Sequence, residues 1–181
     1  MESANDDARR TAPLALWRYA HDYLRCAADL TRDHRTLCGE SQVTYHLCAQ
    51  GLEFGLHAYL GAQGVTAGEM RALYRHSLEA SRAACETRGM AALPTHCRAA
   101  FADVAACHRS VGFRYRPLAD DAPAAIVPLL EAGTWILAQA TPHVSQHYVD
   151  HLGSRGSPTA EEFAQRLRTA LTVLRDAVRT E

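Results

Sequence analysis

The sequence predicts an all-α fold, and three observations carry that prediction. No stretch of the 181 residues alternates apolar and polar side chains as a half-buried strand would. Apolar residues recur instead at spacings of three and four through most of the chain. Finally, Val43–Leu60, VTYHLCAQGLEFGLHAYL, has no proline and places apolar or small side chains on almost every helical face. Such a helix belongs in the middle of a bundle. Gly51 and Gly55, four apart, cost helix stability, so their use there is to let another helix approach closely.

The elements follow in order. Residues 1–10 read as a loose tail, ahead of a single helical domain over 11–181. Thr11 can cap a first helix with Pro13 in its first turn. From Leu14 to about Arg35, Trp17, Ala20, Leu24, Ala27, Ala28 and Thr31 form the inward stripe. Arg18, Arg25, Asp29 and Arg32 stay outside. Gly39 closes this helix, Ser41 begins the central one, and Gly61 to Gly64 end it. Thr66-Ala-Gly-Glu69 has the capping-box pattern and starts a short helix. A further helix carries Leu73, Leu78 and Cys85 and stops at Gly89; periodicity leaves open whether the chain breaks near Arg75-His76. After Pro94, THCRAAFADVAACH buries Cys97, Phe101, Val104 and Ala105. A loop, GFRYRPLADDAP, leads to a long segment from about Pro123 to Leu152, with Pro128 and Pro142 as candidate kinks. Ser157-Pro158 opens a last amphipathic helix striped by Phe163, Leu167, Ala170, Leu174 and Val178.

A chain of this length fits one domain with a sizeable core. Its 48% hydrophobic and 22% charged residues are those of a globular protein. The net charge of −1 gives no global pull toward nucleic acid or anionic membrane. All 19 basic residues are arginine, so any anion site is built from planar guanidinium forks. Six cysteines stand singly, without a CxxC pair, and read as small buried hydrophobes in a reduced, cytoplasmic protein. No secretory signal and no membrane span is expected.

Several residue groups are candidates for chemistry. His46, Gln50, Glu53 and His57 fall on one narrow strip of the central helix. The strip can line a polar groove, but a solvent edge or an internal polar seam is the plainer reading. His143, His147 and His151 recur at fours, yet a local pair supplies only half of a tetrahedral shell, so a surface histidine face is expected and no metal is assigned. Arg109, Arg114 and Arg116, with Phe113 and Tyr115 interleaved, form the densest basic-aromatic cluster and the best candidate for phosphate binding and base stacking. Pairing with Asp120 and Asp121 is the alternative. Arg71 and His76 could act on a phosphodiester, the histidine moving a proton and the arginine stabilising charge on phosphorus. Their plainer reading is a helix-start histidine beside a solvated arginine. No cofactor is called for.

Three segments resemble the HEPN (higher-eukaryote and prokaryote nucleotide-binding) domain family. AQGLEFGLHAYL is similar to the family's second-helix pattern, keeping its glutamate as Glu53, with His57 where lysine is usual. RHSLEASRAA resembles the Gly-His-Asp-Leu start of the next helix, with His76 and Leu78 in register. FRYRP resembles the Arg-Tyr-Pro before the fourth helix, with Arg116 inserted before Pro117. In order and spacing the resemblance spans about residues 14 to 152, leaving the helix over about 158–180 as an addition.

The resemblance implies an antiparallel helical bundle that commonly dimerises. It implies either a metal-independent endoribonuclease or an inert partner of a nucleotidyltransferase. The nuclease members carry Arg-x4–6-His, and Arg71-Ala-Leu-Tyr-Arg-His76 has that spacing. However, Ala72 replaces the usual polar residue, and the pair precedes the third helix. The expectation is therefore a non-catalytic, homodimeric module that binds nucleotide, RNA or a nucleotidyltransferase-type protein partner. The alternatives are a toxin-like endoribonuclease and a purely structural interaction domain.

Overall fold

The computed structural model describes residues 12–33, 42–74, 76–109, 126–152 and 159–179. These form seven helices and no strand: α1 (Pro13–Asp33), α2 (Gln42–Ala62), α3 (Ala67–Leu73), α4 (Leu78–Thr87), α5 (Thr95–Arg109), α6 (Ile126–Leu152) and α7 (Ala160–Arg179). The all-α class is therefore as expected. The tail over 1–10, the Thr11 cap, Gly39, Ser41 and the GFRYRPLADDAP segment lie outside the described residues.

Helix ends follow local chemistry. At the close of α2, Gly64 takes φ +87. Val65 N–H then reaches the Leu60 carbonyl while Gly64 N–H reaches Gly61. Gly89, at φ +96, ends α4 in the same way, with Met90 N–H on Cys85 and Gly89 N–H on Glu86. This is the Schellman closure, whose left-handed residue glycine adopts without a Cβ penalty. The Thr66–Glu69 capping box starts α3, with both reciprocal hydrogen bonds present. At α7 the cap is Thr159, whose backbone N–H donates to Glu162 and whose hydroxyl accepts from Glu162 N–H. Ser157-Pro158, expected to open that helix, lies outside the described residues.

α2 is the middle of the bundle. It packs most extensively on α1 and then on α6, and it also touches α4 and α5. Leu52, Leu56, Ala58 and Leu60 are fully buried along it. α7 packs on α6 and α1, and its Phe163, Leu167, Leu171, Leu174 and Val178 belong to the same hydrophobic cluster as the central helix. The terminal helix thus shares the core with the central one. Trp17 pins α1 to α6, its indole N–H shared between the Leu137 carbonyl and the Thr141 hydroxyl.

Leu24 sits where three helices meet. A Cβ on Gly51 would lie 2.7 Å from Leu24 Cγ, and one on Gly133 would lie 2.5 Å from Leu24 Cδ1. The two glycines form the notch that this leucine fills, which is the close approach expected for Gly51. Gly51→Leu is expected to lower stability by about 1–3 kcal/mol through overpacking. That loss outweighs the roughly 1 kcal/mol of helix propensity gained. A urea melt no less stable than the parent's would show that α1 and α2 do not meet at this notch.

No helix of the described residues is long and apolar enough to cross a membrane. Cys26, Cys48, Cys85 and Cys97 carry free thiols. Burial pushes the Cys48 and Cys85 thiols up to about 12. These two behave as buried hydrophobes, as their helical positions suggested.

Candidate functional site

Glu53 is the centre of the site. It lies on α2 among apolar neighbours, and only 6% of it is exposed. A carboxylate taken out of water needs hydrogen bonds and opposite charge, or it will not stay ionised. Glu53 has both. Its Oε2 is 2.7 Å from His108 Nε2, near the end of α5. An ionised carboxylate only accepts, so His108 carries the proton on Nε2. Its Oε1 accepts the backbone N–H of His76 at 3.3 Å and stands 3.5 Å from His76 Nδ1. Burial works to raise the Glu53 carboxyl. The His108 hydrogen bond and the charges of His57, His108 and His76 outweigh it, leaving Glu53 below its ordinary value.

The backbone N–H of His76 reaches Glu53 because the chain breaks there. Tyr74 closes α3 by donating to the Met70 carbonyl, and Ser77 caps α4 by accepting from Ala80 N–H. Between them His76 sits at φ +54, a left-handed conformation rare outside glycine. The question that periodicity left open near Arg75-His76 is answered by two helices with a sharp turn between them. The turn leaves the His76 side chain 57% exposed, with its ring edge-on to His108 at 5.8 Å.

One turn beyond Glu53, His57 Nε2 is 3.3 Å from the hydroxyl of the buried Ser81 on α4. Burial pushes the His57 imidazole below its ordinary range, against the pull of the Glu53 charge. A pocket of about 230 Å³ opens over this floor, lined by Glu53, His57, Arg71 and His76 together with apolar Leu16, Phe54, Ala67 and Met70. On one continuous helix, residues five apart diverge by about 140°. The break at His76 is what lets Arg71 and His76 line one pocket.

The four-residue polar strip of α2 is not a solvent edge. His46 is exposed and Gln50 half-buried, while Glu53 is in the core and His57 is largely covered. The strip passes inward because α4 and α5 both pack on α2. His143, His147 and His151 are used locally. His143 pairs with Gln63 and meets Tyr59 edge-on, and His151 stacks on His147 at 4.0 Å while bonding its carbonyl. A further pair, His96 and Glu131, meets at 2.9 Å beside the buried Cys97.

Arg109 ends α5, one residue after His108. Arg114, Tyr115 and Arg116 lie outside the described residues, as do Phe113, Asp120 and Asp121. The residue that sequence reasoning missed is His108. Its signal was present: Phe101, Val104, Ala105 and His108 fall at the offsets of one buried helical stripe, so the histidine occupies a core position. Comparison of the chain with family models, with curated proteins and with solved structures finds no match.

Proposed function

We propose that this chain is a HEPN-like antiparallel helical module that forms a homodimer and binds a phosphate-bearing ligand, nucleotide or RNA, without cleaving it. The observation that carries the reading is the hydrogen bond from His76 N–H to Glu53 Oε1. It joins two of the segments on which the family resemblance rests, at a pocket that Arg71 also lines. Arg71 lines the approach to the site, where a guanidinium group suits phosphate. The site's interior argues against cleavage. A phosphodiester approaching His76 would meet the ionised Glu53 carboxylate 3.5 Å from the ring. Ala72 adds no polar help beside Arg71.

The second reading, a metal-independent endoribonuclease, is favoured by one observation: the break between α3 and α4 places Arg71 and His76 on the same pocket. One experiment separates the two. A single-stranded RNA incubated with the purified protein in EDTA is expected to stay intact. Its binding, followed by fluorescence anisotropy, should weaken and lose part of its salt dependence when Arg109, Arg114 and Arg116 are all replaced by alanine. His76→Ala should bind nearly as the parent does. Light scattering at tens of micromolar should return the mass of a dimer. Cleavage in EDTA that disappears in His76→Ala would replace the binding module with the nuclease.

A further inference from the structure

We propose that Glu53, His76 and His108 form a binding site for a divalent first-row transition cation of the zinc class. One ligand atom from each of the three residues lies within 4.8 Å of the others. The set comprises two imidazole nitrogens and one carboxylate oxygen, a combination that suits zinc and its neighbours better than magnesium or calcium. Metal–ligand bonds of about 2.0–2.1 Å in a tetrahedral shell put ligand atoms about 3.3–3.4 Å apart. The separation of 3.5 Å between Glu53 Oε1 and His76 Nδ1 is close to that value. On the other carboxylate oxygen, Oε2, His108 Nε2 stands at 2.7 Å, so sharing an ion requires that nitrogen to give up its proton and the pair to open by about 0.6–0.7 Å.

The three ligands come from three places that the fold holds independently: mid-α2, the turn between α3 and α4, and the end of α5. Such a site is pre-organised in the folded chain and absent from the unfolded one. Glu53 and His108 form a buried floor, while His76 is exposed, so the fourth position faces the pocket. This inference does not depend on the phosphate-binding reading, because it requires no nucleotide or RNA.

The test uses the untagged full chain, stripped with chelator and desalted, and titrated with zinc ions alone by calorimetry. One ion per chain is expected, with protons released and the thermal midpoint raised as the ion saturates the folded state. The decisive variant is His76→Asn, since asparagine accepts the left-handed backbone while removing the imidazole. Loss of even an outer partner of a metal ligand costs about 10–100-fold in affinity, so this variant should weaken zinc binding at least tenfold. His108→Gln should do the same, and His96→Asn, at the separate His96–Glu131 pair, should bind as the parent does. Cobalt(II) in place of zinc should give the intense visible bands of a low-coordinate ion in the parent and not in His76→Asn. Absence of saturable binding, unchanged affinity in His76→Asn, or loss in His96→Asn would each overturn the site.

Discussion

Leu52→Asp is expected to abolish the cooperative thermal transition of this protein or to lower its stability by several kcal/mol. Leu52 is fully buried on α2, the helix on which α1, α4, α5 and α6 all pack. An aspartate there must either stay ionised without partners or protonate at a cost, and it also removes the leucine's apolar contacts. Effects of this size come from a short list of mechanisms, and an unpaired charge in the core is one of them. Leu56→Asp, one turn on and equally buried, should behave alike. Val43→Asp provides the contrast on the same helix, because Val43 is 58% exposed, and it should shift stability by no more than about 0.5 kcal/mol. Circular dichroism melts of the three variants check the ordering. Parent-like melts for both leucine variants would remove α2 from the centre of the fold.

The fold was legible where physics is local. A helix apolar around its girth, a threonine and glutamate three apart, and glycines beyond the last periodic residue each mean the same thing wherever they occur, and α2, the start of α3 and the stops of α2 and α4 follow from them. The break at His76 was not legible in that way. A left-handed histidine has no composition signature, and the turn is held by a carboxylate 23 residues away. The α7 stripe was visible, but its destination was not; only the packed structure shows it lying on α6 and α1.

The candidate site was half legible. Glu53, His57, Arg71 and His76 stand out because polar side chains interrupt an apolar helix or fall at a functional spacing. Their convergence on one pocket, with His108 arriving from 55 residues away, depends on tertiary packing that no spacing rule contains. A polar strip on an isolated helix is properly read as facing water. In α2 that reading fails at Glu53 because neighbouring helices cover its face and supply the donors it needs.

Those donors make Glu53 the second residue whose loss should be severe. Glu53→Ala is expected to cost about 1–3 kcal/mol for each buried donor left without an acceptor. His108, only 5% exposed at its side chain, would lose its acceptor on one side, and the His76 backbone N–H would lose its acceptor on the other. The second loss should also loosen the turn between α3 and α4, because that hydrogen bond anchors a residue held at φ +54. Glu53→Gln keeps an acceptor oxygen and the side-chain shape, so it should be the milder change. Melts in EDTA separate these effects from any bound ion, and a double-mutant cycle with His108→Gln measures the coupling between the two side chains. A coupling energy of at least about 1.5 kcal/mol, the lower end for a hydrogen bond to a charged group, is the expected result. Full additivity of Glu53→Ala and His108→Gln would mean that the 2.7 Å contact does not bind α5 to α2.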